Sequence, residues 1–482
     1  MFRSKTKSEK TLLLPGWRQT PPPNIQQESS AMKQGAPSLL PPPVTTYGGA
    51  DTGEGPPPLE SPLVCSGDHG RVRNGLGVLL TSFFLVAQVA GLGVLALPWA
   101  IAQTGWAGVG LLSASCVIVA FAACRLGTCW VILEERWPEY QRACRKPYPA
   151  MALRTLGRPG WYLVTVIQCV TLFGVSIVTI LLSAELVASV LAPLLPTLTV
   201  CSWVLACGCV FIPLSWLGSP KEFWHVSVLA LVATLAAVLV VVVKVLVEDQ
   251  LYEPQHPPPT FSSFFLGFGT IMFSYGGAVT FPTIQNDMSD RSKFPLAVII
   301  AFSTLLVLYV PVAALGYLEF GDMVTVNILL SVHGPAVTVV RVLMLINNAF
   351  TYTIVVNPLS QSLEDAMNLP HTFGWQRCLV RTSIVLCGVL VSLAVRNFGR
   401  ILNFIGSFTV PILTFVLPPI FYMRLCDSED DAWERRRIGG VHRFLLWLVV
   451  VVGTSSGLAA TWTALQALLA PGEISDSCFS FF

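Results

Sequence analysis

Eleven stretches of about 20 apolar residues run through this chain, and they limit its fold more than any other feature. A stretch of this length is what an α-helix needs to cross the hydrocarbon core of a bilayer. Backbone polar groups in lipid must be paired within the spanning structure, so such stretches are expected to be helical. The predicted spans are 76–103, 107–131, 161–190, 199–217, 223–247, 263–285, 294–318, 335–359, 378–395, 400–424 and 443–469.

The composition agrees with a membrane protein. Hydrophobic residues make up 53% of the 482 residues and charged residues 12%, with a mean hydropathy of +0.66, whereas a soluble globular protein carries about 25% charged residues. The net charge of +2 gives no indication of a nucleic acid partner. The 13 cysteines lack the spacing of a metal site or a disulfide framework. We therefore expect buried hydrophobic cysteines and no metal.

Residues 1–72 differ from the rest of the chain. They are rich in proline, glycine and serine and have no periodic apolar face, which predicts a disordered tail. Glu9, Leu13 and Leu14 within it fit the acidic dileucine pattern that adaptors read when they sort proteins to endosomes and lysosomes. The predicted organisation is this tail, a transmembrane domain over 73–472 and a short tail over 473–482. The predicted location is either an endosomal or lysosomal membrane or the plasma membrane.

Lysine and arginine residues predict the orientation. They gather before the first span and in every second connection, whereas the connections after spans one, three, five and seven contain none. Arg396 and Arg400, in the turn after span nine, are the exception. Because cytoplasmic loops carry the excess of these residues, the amino terminus is predicted to be cytoplasmic. An odd number of spans then makes the carboxyl terminus extracellular or lumenal.

Spans one and six carry the same interruption. A glycine precedes a proline by five residues in both, Gly93 and Pro98 in span one and Gly277 and Pro282 in span six. Glycine weakens a helix by about 1 kcal/mol and proline by about 3 kcal/mol, so both spans should unwind here. Paired interruptions five helices apart are typical of the binding site in transporters with inverted repeats. The alternative is that glycine and proline merely allow close packing.

Unwound backbone at these two places offers groups of both polarities. Amides after Gly93 present N–H donors and a positive helix end to a carboxylate. Carbonyls around Phe273 and Ser274 can accept hydrogen bonds from an ammonium group. A zwitterionic α-amino acid carries both groups, so the predicted substrate is an amino acid.

At these residues the chain resembles the amino acid/auxin permease family, which includes proton-coupled, sodium-coupled and vesicular amino acid transporters. The matching segments are GLGVLALPWAIAQTGW (Gly91–Trp106), PYPAMALRTLGRPG (Pro147–Gly160) and FSYGGAVTFPTIQNDM (Phe273–Met288). The resemblance implies an all-α polytopic fold with eleven transmembrane helices. These form the leucine-transporter-type 5+5 inverted repeat of the APC superfamily plus an eleventh helix. The resemblance also implies secondary active transport of small neutral amino acids by alternating access.

The resemblance further implies which residues bind the substrate. The carboxylate would be held by Gly91, Leu92, Gly93 and Val94, and the amino and side-chain end would be lined by Phe273, Ser274, Tyr275 and Gly276, with Thr280 as a polar candidate one turn further on. Two positions depart from the family pattern. Ala87 stands where the sodium-coupled branch has an asparagine, which favours proton coupling over sodium. Gly277 stands where some relatives have a histidine, which leaves room for a bulkier substrate.

Ionisable residues inside spans are costly and point to a function with a named partner. Glu185 and Arg341 lie toward the outer ends of spans three and eight, which are neighbours in the implied fold. They either pair and guard the outer vestibule, or Glu185 is the protonation site for proton coupling. Thr351 and Thr353 could donate hydroxyls to a coupling ion, although helical threonines often bond back to a carbonyl.

Other function classes find less support. The sequence contains no HExxH or GxSxG motif and no pair of intramembrane aspartates that would indicate an enzyme. A channel would need polar rings along a continuous pore, whereas the predicted spans are mostly apolar. No cofactor is predicted. An amino acid sensor on the same fold and a sodium-coupled transporter are the alternatives.

Overall fold

The computed structural model describes residues 75–141, 144, 146–217, 224–247, 253–369, 374–430, 432–470 and 478. The amino-terminal tail predicted over 1–72, with its adaptor-binding pattern, lies outside these residues. So does the predicted carboxyl-terminal tail, apart from Cys478. Within the described residues the structure is helical, and its β pairing is confined to two isolated bridges.

Fifteen α-helices make up the described part of the chain. They are α1 (Val78–Val89), α2 (Leu97–Thr104), α3 (Ala107–Arg136), α4 (Pro147–Leu191), α5 (Val200–Trp216), α6 (Trp224–Val247), α7 (Phe261–Ser274), α8 (Phe281–Asn286), α9 (Phe294–Phe320), α10 (Ile328–Ser331), α11 (Pro335–Ala366), α12 (Trp375–Ala394), α13 (Phe398–Pro411), α14 (Leu417–Asp427) and α15 (Gly440–Leu469). A 3₁₀ turn, Gly93–Ala96, precedes α2, and a π-helical turn, Ile412–Val416, joins α13 to α14.

Each of the eleven predicted stretches coincides with helix. Among the described residues, eight helical segments are long and apolar enough to cross a membrane, and the bent pair α1 and α2 counts as a ninth if it is one span. Two more apolar helices, α5 and α7, are shorter. The prediction of an all-helical polytopic membrane fold is therefore confirmed.

The outer surface of the bundle is apolar. On α6, Val232 is 54% exposed and Leu239 is 63% exposed, and on α15 Leu458 is 68% exposed. Large apolar side chains exposed along whole helices mark a surface that faces lipid or a partner.

Residues 147–160 lie outside the predicted spans, between 107–131 and 161–190. The structure continues the helix back to Pro147, with a bend at Gly157, whose φ of 74° and ψ of −164° are not helical. Glycine adopts a positive φ without steric cost, and Pro159 just after it cannot donate a backbone hydrogen bond. The bend therefore separates a short arm from the long membrane-embedded arm of α4.

One prediction about cysteine is wrong. Cys201, at the start of α5, forms a disulfide with Cys478, and their Cα atoms lie 5.9 Å apart. The two residues are 277 positions apart in the sequence, so no short spacing reveals the pair and only the fold brings them together. The disulfide fastens the carboxyl-terminal region to the beginning of α5.

A buried ion pair joins three helices. Arg381 on α12 is 0% exposed, and its Nε donates to the Oε1 of Glu364 on α11 at 2.7 Å. The same guanidinium donates to the Oδ1 of Asn357 at 3.0 Å and to the carbonyl of Ser215 on α5 at 2.7 Å. With its charge compensated and its donors paired, the guanidinium can remain buried where α5, α11 and α12 meet.

We expect Arg381→Ala to lower the free energy of unfolding by about 3–5 kcal/mol, because it leaves a buried carboxylate without its main partner. Thermal unfolding of the purified protein in detergent measures the loss. Arg435→Ala is the control, since its pair with Asp427 is largely exposed and contributes about 0–1 kcal/mol. Equal losses in the two variants would contradict a structural role for the buried pair.

Cys201→Ser and Cys478→Ser are each expected to cost about 2–4 kcal/mol, the typical contribution of a disulfide. The double variant should unfold at the same temperature as either single variant, because all three lose the same bond. Cys209→Ser serves as the control, since that thiol is free and exposed. Additive losses in the double variant would argue that the two cysteines are not bonded.

Candidate functional site

The two predicted interruptions are breaks in the structure. α1 ends at Val89 and the chain resumes helical form at Gly93, while α7 ends at Ser274 and α8 begins at Phe281. Within the described part of the chain, the amides of Gly91 and Leu92 donate no hydrogen bond to another backbone group. These two N–H groups are therefore free of backbone partners, and they lie just before Gly93, whereas the glycine and proline spacing predicted free amides after it.

The two breaks touch each other. A Cβ atom built on Gly93 would lie 2.5 Å from both the Cα and the Oγ of Ser274. The unwound segments thus cross in backbone contact, and Gly93 is needed for this close approach. The Ser274 hydroxyl donates to the carbonyl of Thr270 at 3.0 Å and does not face a ligand.

A tyrosine on α9 joins the breaks. The hydroxyl of Tyr309 lies 3.0 Å from the carbonyl oxygen of Val89 and 3.0 Å from that of Ser274. Carbonyls at the carboxyl end of a helix lack partners within the helix, and here one fully buried hydroxyl serves the ends of both α1 and α7. Sequence reasoning missed Tyr309, although a tyrosine in the middle of an apolar span must find a partner for its hydroxyl.

The start of α1 and the end of α8 are also tied together. The amide of Leu76, just before α1, donates to the carbonyl of Asp287 at 2.9 Å, and the amide of Ser289 donates to the carbonyl of Leu76 at 3.1 Å. This pairing forms a short parallel bridge between Leu76 and Met288. The broken helices are therefore fastened to each other at the crossing and at this bridge.

A cavity of about 100 Å³ opens beside the breaks. Of the predicted site residues, it is lined by Gly91, Leu92, Gly93, Phe273, Gly276, Thr280 and Thr351. One wall is formed by the breaks, and another is formed by α4 and α11 through Leu172, Val175 and Val355. The structure thus brings together residues of six helices, α1, α4, α6, α7, α11 and α13.

Four predicted residues do not line the cavity. Val94 and Ser274 are buried in the crossing, and the Tyr275 hydroxyl donates to the carbonyl of Leu112 on α3 at 3.2 Å. Thr353 donates to the carbonyl of Ala349 at 3.1 Å. It lies two residues from Thr351, which is about 200° around the helix, so only one of the two threonines can face the cavity.

The polar groups of the cavity are few and uncharged. Among the described residues that line it, none is charged, and the polar side chains are Gln88, Thr171, Thr280 and Thr351. The Thr171 hydroxyl donates to the carbonyl of Ile167 on the same helix, and the Thr280 hydroxyl donates to the carbonyl of Gly277 within the break. Gln88 and Thr351 make no such bond in the described structure, so they are the side chains available to a ligand. Sequence reasoning missed Gln88, a polar residue inside an apolar span.

The carbonyls assigned to an ammonium group are already engaged. The carbonyl of Phe273 accepts from the amide of Gly276 at 2.9 Å, and that of Ser274 accepts from Tyr309. A carbonyl oxygen has a second lone pair, so that of Phe273, which lines the cavity, can bind a further donor, whereas Ser274 does not line the cavity. The side-chain oxygens of Gln88 and Thr351 supply the remaining acceptors.

The room expected beside Gly277 is taken. A Cβ atom on Gly277 would lie 2.6 Å from the ring of Phe281 and 2.6 Å from the Cγ2 of Val89. The missing side chain therefore allows Phe281 and Val89 to pack closely, and the prediction of space for a bulkier substrate here is wrong.

Glu185 and Arg341 do not pair. The guanidinium of Arg341 donates to the carbonyls of Leu329 and Val332 at 2.7 Å and 3.0 Å. One carboxyl oxygen of Glu185 is buried without a hydrogen-bond partner among the described residues. Leu172, which packs against α11, is thirteen residues before Glu185, or about 220° around the helix. Glu185 therefore lies on the face of α4 that points away from α11.

Comparison with known proteins gives a consistent result. A family model described as transmembrane amino acid transporter protein matches residues 74–466. Amino acid transporter AVT1B of Arabidopsis thaliana is 24% identical over 420 residues, covering 83% of this chain and 70% of its own length. Amino acid transporter AVT3C of the same plant is 26% identical over 449 residues, covering 86% of this chain and 95% of its own length.

The fold also has counterparts among solved structures. A crystal structure of a mutant manganese transporter from Eremococcus coleocola superposes with a TM-score of 0.56 at 13% identity, covering 85% of this chain and 92% of that chain. At this identity the likeness concerns the fold alone.

We expect Tyr309→Phe to lower the free energy of unfolding by about 1–3 kcal/mol, because the carbonyls of Val89 and Ser274 lose their shared donor while the ring keeps its packing. Tyr162→Phe is the matched control, since Tyr162 is 63% exposed. Thermal unfolding in detergent compares them. A Tyr309→Phe protein as stable as the control would show that the hydroxyl does not hold the breaks.

Proposed function

The chain belongs to the transmembrane amino acid transporter family, the amino acid/auxin permeases, and from that premise we propose that it moves small neutral amino acids across a membrane by alternating access. The named relatives are transporters and not enzymes. The observation that carries the proposal is the small cavity at the crossing of two broken helices, whose described lining has no charged side chain.

The cavity suits the common part of an amino acid. The amides of Gly91 and Leu92 receive the carboxylate. The oxygens of Gln88 and Thr351 accept from the ammonium group, together with the second lone pair of the Phe273 carbonyl. A substrate with a charged side chain would find no counter-charge, and burial of an unpaired charge is very costly. The volume of about 100 Å³ is below the range of about 300–1,000 Å³ of pockets for drug-sized ligands. Both features favour small neutral substrates.

The architecture we propose for this function has eleven crossings. Eight of them are the long helical segments, and a ninth is the bent pair of α1 with α2. The tenth is α5, and the remaining one is α7 continued by α8. α1 with α2 and α7 with α8 would be the equivalent first helices of two inverted five-helix repeats, with α15 as the eleventh crossing. Lysine and arginine placement supports a cytoplasmic amino terminus, and the acidic dileucine pattern favours an endosomal or lysosomal membrane.

Protons are the proposed coupling ion. Sodium needs several oxygen ligands, and Ala87 in the cavity lining supplies none. The Thr353 hydroxyl is occupied by its own helix. Glu185, with a buried carboxyl oxygen that has no partner in the described structure, is the proposed protonation site. Sodium coupling and a sensor role on the same fold are the competing possibilities.

Gly91→Leu tests the cavity. A Cβ atom on Gly91 meets no atom within 4 Å, so a leucine enters the open space without strain, fills the cavity and is expected to abolish uptake. Gly93→Leu is less suitable, because its Cβ would collide with the Ser274 backbone. Gly110→Leu on α3 is the matched control, since that position is equally open and lies away from the cavity.

Radiolabelled glycine, alanine, proline and GABA are offered to proteoliposomes under an imposed pH gradient, sodium gradient or neither. The expected result is uptake driven by the pH gradient and independent of sodium, lost in Gly91→Leu and kept in Gly110→Leu. Equal uptake in the two variants would show that the substrate site lies outside this cavity. Uptake that depends on the sodium gradient would show that sodium, and not the proton, is the coupling ion. Stabilisation by an amino acid without uptake would favour the sensor.

A further inference from the structure

One arginine inside an apolar span has no carboxylate partner. Arg125 lies on α3 within the predicted span 107–131, and it takes part in none of the ion pairs formed among the described residues. Its Nε is buried and has no hydrogen-bond partner in that part of the chain, although the residue as a whole is partly exposed. Because charged residues within spans normally pair with another group, this arginine points to a partner from outside the chain.

Two aromatic rings hold the guanidinium in place. Its Cζ lies 5.6 Å from the ring centroid of Phe121 on α3 and 5.2 Å from that of Tyr422 on α14, which is the range of a cation–π contact. A side chain that only reaches for water would extend away from the protein, whereas this one is fixed against the two rings. The ring faces attract the cation and leave N–H donors of the guanidinium unused.

A histidine on a third helix contacts the same two rings. The ring centroid of His442, at the start of α15, lies 5.7 Å from that of Phe121 and 5.9 Å from that of Tyr422. Its Nε2 is buried and has no hydrogen-bond partner among the described residues. Buried polar nitrogens are nearly always paired. The unpaired nitrogens of Arg125 and His442 therefore flank one pair of rings and share the need for an acceptor.

These four residues lie in a groove between α3 and α15, with α14 as its floor. α14 packs along both α3 and α15, which make no extended contact with each other over their described lengths. Arg136 at the end of α3 donates to the carbonyl of Leu425 on α14 at 2.6 Å, and Arg443 on α15 pairs with Asp427 at the end of α14. The groove therefore opens where α3 and α14 end and α15 begins. In the proposed orientation this end is cytoplasmic.

The groove continues toward the middle of the membrane as an apolar surface. Val117 and Phe121 precede Arg125 by eight and four residues, so all three lie on one face of α3, and Val117 is 66% exposed. Leu445 on α15 follows His442 by three residues and is 42% exposed. A lipid tail can cover this surface, whereas a water-soluble anion cannot. The charged end of the groove and its apolar continuation together match a phospholipid.

We propose that Arg125 and His442 bind the phosphate of an anionic phospholipid of the cytoplasmic leaflet, with an acyl chain along α3 and α15. The planar guanidinium suits phosphate oxygens, and basic pockets between transmembrane helices on the cytoplasmic side bind such headgroups. Asp427 does not compete, because it is paired with Arg435 and Arg443. The ammonium group of a zwitterionic headgroup would find no carboxylate among the four groove residues. Binding of this lipid is independent of the transported substrate.

Lipid selectivity is the first test. Native mass spectrometry of the full chain in neutral detergent measures binding of phosphatidylglycerol and of phosphatidylcholine, both with dioleoyl chains, and inorganic phosphate is added as a competitor. Wild type is expected to bind one phosphatidylglycerol at least about ten-fold more tightly than phosphatidylcholine, the scale of one hydrogen bond to a charged group. Inorganic phosphate should displace it poorly, because it lacks the acyl chains.

Arg125→Gln tests the site itself. It is expected to weaken binding of phosphatidylglycerol about ten-fold or more and to leave that of phosphatidylcholine unchanged. The variant should fold, because it removes a charge that has no ion-pair partner in the described structure. Arg424→Gln is the matched control, since Arg424 is exposed and lies two residues after Tyr422, about 200° around α14. It should weaken binding by less than about five-fold, the scale of general attraction between one basic residue and an anionic surface.

Three results would overturn the lipid site. They are equal affinities of wild type for the two lipids, equal binding of phosphatidylglycerol by Arg125→Gln and Arg424→Gln, and displacement by inorganic phosphate at concentrations comparable to those of the lipid, which would assign the site to a soluble phosphate. If thermal unfolding shows that Arg125→Gln does not fold, His442→Gln decides. Unchanged binding of phosphatidylglycerol by that variant would refute the proposal.

Discussion

The contact between two stretches of unwound backbone organises this protein. Gly93 lies against Ser274 so closely that no side chain fits between them, and the hydroxyl of Tyr309 pairs the last carbonyls of both preceding helices. Irregular backbone at membrane depth is stable only where other protein groups satisfy it. The crossing meets this condition for the carbonyls, and it leaves the amides of Gly91 and Leu92 open toward the cavity. Stability and the proposed ligand recognition thus use different peptide groups of the same break.

The described structure divides its buried polar groups in the same way. At the meeting of α5, α11 and α12, the guanidinium of Arg381 has three kinds of acceptor and holds helices in place. Asn348 on α11 and Ser183 on α4 are equally buried and have no partner among the described residues. A satisfied network such as that of Arg381 rigidifies a fold.

Much of this arrangement could be predicted from local sequence. The helices follow from apolar stretches long enough to span a bilayer, and the two breaks follow from the glycine and proline spacing at Gly93 and Gly277, because both features act through the backbone nearby. What could not be predicted depends on contacts between distant residues. The bond of Cys201 to Cys478, the donation by Tyr309 and the occupied space beside Gly277 arise only when helices are packed. A pair of Glu185 with Arg341 was one of two alternatives suggested by the order of helices, and the rotation of α4 about its axis, which local sequence does not reveal, excludes it.

The bridge between Leu76 and Met288 has a mechanical consequence. Two backbone hydrogen bonds connect the residue before α1 to the chain after α8, so α1 and α8 cannot separate at these ends without breaking both bonds. A displacement of one helix is therefore transmitted to the other. Any rearrangement that widens the cavity from this end must move α1 and α8 together or break the bridge first.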